Sequence, residues 1–164
     1  MSLPSDDSEY NLLTYPGSEL NISVARDPGR ATEIRLYGNR PGILSLANIL
    51  LWFLAREFER EVISLTSLRF AKVEGSASLS VRVSDEVITP EQAGTVRARE
   101  GASHFEWLLP EDDLRHVALS LHRMACFWEH EYDLYPYADE HVRDARIHAR
   151  VIDVEQYLPH GRET

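Results

Sequence analysis

The side chains best suited to chemistry are concentrated in one short stretch in the last third of the sequence. They are histidines and carboxylates, in chain order His122, Glu129, His130, Glu131, Asp133 and His141. Imidazole and carboxylate groups can hold a metal ion or transfer protons, so one alternative function is a small enzyme that uses residues 122–141, with or without a metal. The HExxH spacing, which places two metal ligands on one face of a helix, is not present. The simpler interpretation is the solvated, acidic end of a helix.

Cys126 is the only cysteine in the chain, which excludes an intrachain disulfide. It follows His122 by one helical turn, a spacing that two metal ligands can have. Its neighbours Ala125 and Phe127 are apolar, and this favours a buried structural thiol over a nucleophile or a ligand. No serine or other histidine has the sequence setting of a catalytic group. The sequence therefore predicts no catalytic residue, no metal ligand and no cofactor.

The same stretch is rich in aromatic residues interleaved with acids. Aromatic rings supply rigid contact area at protein interfaces, and carboxylates attract a basic partner. Pro136 and the acids keep the preceding helix from continuing, so residues 128–140 are predicted to cross the surface as a loop. The predicted partner-binding residues are Trp128, Glu129, Glu131, Tyr132, Asp133, Tyr135, Tyr137, Asp139 and Glu140. In the alternative interpretation, the tyrosines cover a sheet edge and the acids are merely solvated.

Length and charge limit the possible classes. With 164 residues and a hydrophobic fraction of 43%, the chain is expected to form one domain with a substantial core, residues 1–10 and 159–164 being loose tails. Its formal net charge of −10 disfavours nucleic acid and anionic membrane surfaces as partners and suits a basic protein. The first residues lack the basic and apolar regions of a signal peptide, and no apolar run is long enough to cross a bilayer. A cytoplasmic location is therefore expected.

The scaffold that must position these side chains has its centre at residues 32–60. Ile34 and Leu36 alternate with polar residues, as in a half-buried strand. The letters GNRPG then turn the chain: Gly38 and Asn39 tolerate positive φ, and Pro41 suits the first position of a helix. The almost wholly apolar run ILSLANILLWFLA predicts a helix that is buried on most sides. It is expected to lie under a sheet and to be covered again by another helix, a loop or a second subunit.

The remaining periodicity predicts further strands and one more long helix. Strands are expected at residues 20–24, 68–73, 79–83, 95–99, 103–108 and 147–151. The first is expected to form a hairpin with the strand of Ile34, and a second hairpin is expected around Gly101. Pro110 and the acids after it open a helix that runs to about Trp128. No internal repeat is apparent. The predicted fold is a single α+β domain, with a mainly antiparallel sheet and two principal helices packed on one face.

The run EIRLYGNRPGILSLANILLWFLA, residues 33–55, resembles the strand–turn–helix near the start of some small immunity proteins of bacterial polymorphic-toxin systems. In those proteins a strand that ends in a Gly–Asn or Gly–Asp turn precedes a helix rich in leucine and alanine. The resemblance covers these residues and no others. It implies a non-enzymatic α+β protein that binds and neutralises a toxin.

Three functional classes remain open at this point. The favoured one is a non-enzymatic, cytoplasmic protein-binding module, immunity-like, that acts through an acidic, tyrosine-rich surface. The second is the small enzyme of residues 122–141. The third is a homo-oligomeric structural protein, such as a homodimer, held together by the excess apolar surface of the central helix.

Overall fold

The computed structural model describes residues 10, 12–26, 29, 32–55, 62–83, 95–99, 103–127, 131–134 and 146–152. The strands are β1 (Leu20–Ala25), β2 (Glu33–Gly38), β3 (Val62–Ser64), β4 (Ala71–Val73), β5 (Ser78–Val83), β6 (Thr95–Arg99), β7 (His104–Leu109), β8 (Glu131–Leu134) and β9 (Arg146–Val151). The long helices are α1 (Arg40–Ala55) and α2 (Glu111–Phe127). The α+β class and both predicted helices are confirmed. The predicted tails lie outside the described residues, apart from Tyr10.

The strands form two sheets. Sheet A has the order β4-β1-β2-β9-β8, and sheet B has the order β3-β5-β7-β6. The hairpin pairs β1–β2 and β6–β7 are antiparallel, as predicted. The pairs β1–β4, β2–β9 and β5–β7 are parallel. The prediction of one mainly antiparallel sheet is therefore wrong, because each hairpin is extended by strands from distant parts of the chain.

The sequence patterns locate the longer strands and miss the shortest ones. β4 covers only the end of the strand predicted at residues 68–73, and Gly75, with a φ of 78°, turns the chain toward β5 in the other sheet. β3 and β8 have no counterpart among the predicted strands, because runs of three and four residues are too short to show an alternation. The loop predicted for residues 128–140 is thus wrong at residues 131–134, which form β8.

The connectivity reveals an internal repeat that the sequence does not show. Each half of the chain begins with an antiparallel hairpin and a helix, first β1–β2–α1 and then β6–β7–α2. A second antiparallel pair follows each helix, β3 with β5 and β8 with β9. That second pair joins the sheet of the other half, where β5 lies parallel to β7 and β9 lies parallel to β2. The two halves thus exchange strands, and each sheet contains strands from both.

The burial pattern of the helices follows the same repeat. Counted from the first residue of each helix, every buried position of α2 matches a buried position of α1. The matched pairs are Ile43 and Leu114, Leu46 and Val117, Ala47 and Ala118, Leu50 and Leu121, Phe53 and Met124, and Leu54 and Ala125. Among the described elements, no pair packs more extensively than α1 and α2. The halves therefore share a hydrophobic pattern and a topology, with few identical residues, which explains why no repeat is visible in the sequence.

α1 is buried on additional sides, as its apolar run predicts. Besides α2, the residues before β1 cover it. The buried hydroxyl of Ser45 accepts the backbone N–H of Tyr15 at 2.8 Å and lies 2.8 Å from the hydroxyl of Ser18. The central helix is therefore covered by a helix and by a segment of its own chain.

The N-terminus of α1 is held by its capping residue. The helix begins at Arg40, one residue before the predicted start at Pro41. The side-chain oxygen of Asn39 accepts the N–H of Gly42 at 2.8 Å and the N–H of Glu19 at 3.0 Å. Asn39 is thus both an N-cap and a clamp between α1 and the residue that precedes β1.

Gly38 is required for a different reason from the one its sequence context suggests. It lies in β2 and has no positive φ, so the explanation from turn conformation is wrong. A Cβ built on Gly38 would come within 2.9 Å of the carbonyl oxygen of Glu19 and within 3.2 Å of the side chain of Ile43. Glycine therefore serves here to let two stretches of backbone approach closely.

Candidate functional site

Most of the predicted partner-binding segment lies outside the described residues. This holds for Trp128, Glu129, Tyr135, Tyr137, Asp139 and Glu140, and also for His130 and His141 of the enzyme hypothesis. The other three predicted residues, Glu131, Tyr132 and Asp133, are on β8, at one edge of sheet A. Tyr132 is paired in register with Ala149, which is buried.

The register of β8 places its acidic positions beside basic ones. Glu131 lies opposite Arg150, and Asp133 lies opposite His148. Residues that are directly opposite in an antiparallel pair share a face of the sheet, so these positions share one face. Among the described strands, β9 is the one that pairs with β8.

Two large apolar side chains of α2 are exposed. Leu119 is 53% exposed and Phe127 is 73% exposed. Because residues four apart follow one another along a helix face, both lie in one row with the exposed Arg123. We call these three residues the outer stripe of α2. Phe127 is the last residue of the helix, so the stripe ends where the chain leaves for β8.

An open cleft lies where the start of α1 meets the end of α2. Its volume is about 470 Å³, within the usual range of small-molecule sites. The Nε of Arg40 donates to the backbone carbonyl of Ala125 at 2.9 Å, which joins the two helix ends. The lining residues are Tyr15, Pro16, Arg40, Pro41, Leu44, His122 and Cys126.

Cys126 is only half-buried, and it faces this cleft. The expectation of a buried, packed thiol is therefore wrong. The flanking Ala125 is fully buried while Phe127 is exposed, so apolar neighbours in sequence do not share one environment on a helix. The sulfur of Cys126 lies 3.6 Å from Nδ1 and 3.8 Å from Nε2 of His122, so the imidazole ring packs alongside the thiol.

The cleft contains residues that sequence reasoning did not bring together. Arg40 is remote from Cys126 in the chain and lies in the GNRPG turn at the start of α1. Tyr15 belongs to a segment for which no element is predicted. The one local signal was the spacing of His122 and Cys126 by one helical turn, which the structure confirms as a direct contact.

Two classes of site are not found in the described part of the chain. No group of three or more histidine, cysteine, aspartate or glutamate side chains in it is arranged to hold a metal ion. Neither α1 nor α2 is both long enough and apolar enough to cross a membrane.

Comparison with known proteins gives this chain no relatives. No protein-family model matches it, and no curated protein or solved structure matches it at a significant level. Its function must therefore be inferred from the chemistry and exposure of its own residues.

Proposed function

We propose that this protein is a non-enzymatic binding module for a basic protein, acting in the manner of an immunity protein that neutralises a toxin. The proposed interface consists of the outer stripe of α2 and the segment that follows it, including β8. It contains the predicted acidic and tyrosine-rich residues and adds Leu119 and Phe127, which the sequence did not single out.

The observation that carries the proposal is the exposure of Phe127. A phenylalanine that is 73% exposed at the end of a well-packed helix contributes little to the core of its own chain. Aromatic side chains are enriched among the residues that dominate binding energy at interfaces. Leu119 extends the apolar contact along the same helix face. A partner that covers both would bury apolar surface from a rigid element of the fold.

The charge of the chain supports a basic partner. The formal net charge is −10, and the segment after Phe127 is one of its acidic parts. Carboxylates around an apolar centre raise the association rate of a basic protein at low ionic strength. Glu131, Asp133, Asp139 and Glu140 are the acids of the segment that we expect to contribute to this effect.

The two other classes have less support. The homo-oligomer hypothesis rests on excess apolar surface of the central helix, and α2 and the residues before β1 cover that helix within a single chain. The enzyme hypothesis rests on residues 122–141. Among the described residues of this range, its support is the contact of His122 with Cys126.

Replacing Phe127 by aspartate is expected to weaken binding to the cognate partner by about tenfold or more, as for an aromatic residue at the centre of an interface. The protein encoded by the gene next to this one is the partner to test, by titration calorimetry with both proteins purified. Leu12→Asp is the matched control, because Leu12 is an apolar residue that is 88% exposed and is not part of the outer stripe. Equal affinities for the two variants would exclude the outer stripe as the interface. Absence of any complex with the wild-type protein would remove the support for an immunity role.

Reversing charge in the segment is expected to act on kinetics more than on affinity. In the triple variant Asp133→Lys, Asp139→Lys and Glu140→Lys, association with the same partner should slow markedly and its dependence on salt should flatten. Stopped-flow measurements at low and moderate ionic strength, with circular dichroism as the check on folding, would test this. Association kinetics like those of the wild type would place the interface elsewhere on the molecule.

A further inference from the structure

We infer that this chain has the architecture of a fused homodimer, in which each half is an assembly unit that fits a second copy of that unit. The halves of two different chains can then assemble with each other. We call them half 1, which runs from β1 to β5, and half 2, which runs from β6 to β9. The inference is independent of the proposed binding function, because it uses the strand pairing and not the outer stripe of α2.

The two parallel strand pairs that join the halves have the same register. The last strand of half 2, β9, pairs with β2, and their last residues, Val151 and Gly38, are opposite each other. The last strand of half 1, β5, pairs with β7, and their last residues, Val83 and Leu109, are opposite each other. In both pairs the first residues are opposite each other as well. A single residue then connects β2 to α1 and β7 to α2. The halves therefore make the same contact with each other twice.

The antiparallel pairs within the halves repeat in the same way. In both first hairpins, the last residue of the first strand is opposite the first residue of the second. In the second pairs, Val62 is opposite Arg82 and Glu131 is opposite Arg150, and each arginine is the next-to-last residue of its strand. A two-fold arrangement of like units produces this repetition, since every contact is then made twice. Among the described strands, β4 has no counterpart, and it lies at the edge of sheet A, where it leaves the arrangement intact.

The length of the connection between the halves determines which copies assemble. Half 1 ends at Val83, which is opposite Leu109, and half 2 begins at Thr95, which is opposite Leu108. Both ends are thus at the same end of β7, on opposite sides of it, and two strand spacings separate them by about 10 Å. Residues 84–94 are long enough to span this distance, and they hold the halves of one chain at an effective concentration of about a millimolar. The wild-type chain is therefore expected to close on itself as a monomer.

Deleting residues 84–94 is expected to give a dimer in which each globule contains half 1 of one chain and half 2 of the other. Val83 would be bonded directly to Thr95, and Cα atoms about 3.8 Å apart cannot lie on opposite sides of β7 in one globule. Size-exclusion chromatography with light scattering should give about twice the wild-type mass. The matched control is a deletion of residues 84–88. It keeps residues 89–94, which reach about 20 Å when extended, and it should remain a monomer.

A cross-link between the helices distinguishes an exchange of halves from the ordinary association of two monomers. Leu44 on α1 and Cys126 on α2 line the same cleft, and Cys126 is the only cysteine in the chain. After Leu44→Cys, a short bis-maleimide should join the two helices within one chain in the control and between two chains in the full deletion. A denaturing gel shows the difference. A folded monomer from the full deletion, or a dimer whose cross-links stay within single chains, would overturn the inference.

Complementation between two full-length chains tests the same inference if the deletion variant does not fold. Leu50→Asp damages the core of half 1, and Leu121→Asp damages the equivalent buried position of half 2. Each variant alone should show no cooperative unfolding, because an unpaired charge is buried in one of its halves. Refolded together from urea in equal amounts, the variants should regain a cooperative transition and about half of the wild-type helical circular dichroism, from globules that combine the two intact halves. A mixture that behaves as the sum of the separate variants would contradict the inference.

Discussion

Replacing Leu50 by alanine is expected to lower the free energy of unfolding by about 2–5 kcal/mol, which is the usual range for leucine-to-alanine changes in a core. Leu50 is fully buried in the middle of α1, at a position whose counterpart in α2, Leu121, is also fully buried. α1 is packed against α2 and against the residues before β1. These neighbours can therefore move little to fill the cavity that the smaller side chain leaves. Chemical denaturation would measure the loss.

The matched control for Leu50 is Leu119→Ala. Leu119 is also a leucine inside a helix, so the effect of helix propensity is the same in both variants, but its side chain is 53% exposed. Leu119→Ala should lower the free energy of unfolding by less than about 1 kcal/mol. Similar losses in the two variants would mean that the burial of α1 has been misjudged. A loss below about 1 kcal/mol at Leu50 would mean the same.

Replacing Gly42 by alanine is expected to destabilise the protein by about 3 kcal/mol, at the upper end of the range for an overpacked site. In an ordinary helix interior the same change would stabilise by about 1 kcal/mol, so the sign itself is informative. A Cβ on Gly42 would collide with the backbone carbonyl of Glu19 and come within 2.9 Å of the side-chain oxygen of Asn39. Backbone atoms cannot rotate away as a flexible side chain can, so α1 and the residues before β1 would have to separate.

The control for Gly42 is Gly75→Ala, which adds the same methyl group where nothing lies within 4 Å of it. Gly75 has a φ of 78°, so alanine there carries only the cost of a left-handed backbone, about 1–2 kcal/mol. Thermal or chemical denaturation of both variants would make the comparison. If Gly42→Ala proves as stable as the wild type, the close approach of Glu19 to α1 does not exist in solution.

Local hydrophobic periodicity was sufficient to predict most elements of the fold. Leu20 and Ile22, Ile34 and Leu36, and the apolar stripe of α2 each predicted an element that the structure confirms. The reason is that burial on one face imposes a repeat of two residues on a strand and of nearly four on a helix, whatever the partner on that face. The same information places α1 in the interior, since a helix that is apolar on most sides must be covered on most sides.

The pairing of these elements was decided only by the tertiary structure. Ile147 and Ala149 alternate in the same way whether β9 lies at an edge or in the centre of a sheet, and whether its neighbour is parallel or antiparallel. The sequence therefore predicted the strand but not its position between β2 and β8. The exchange of strands between the two halves stayed hidden for the same reason, since a topology can repeat while its residues do not.

In the cleft, one contact could be predicted from the local sequence and another could not. His122 and Cys126 are one helical turn apart, and that spacing alone was enough to predict that they share a helix face. Arg40 joins them because β2, α1 and α2 fold so that the first residue of one helix bonds to the carbonyl of Ala125 near the end of the other. The exposure of the thiol likewise depends on which neighbours pack around it. The spacing of two residues within a helix determines whether their side chains share a face of that helix. Contacts between residues far apart in the chain depend on how all the elements pack together.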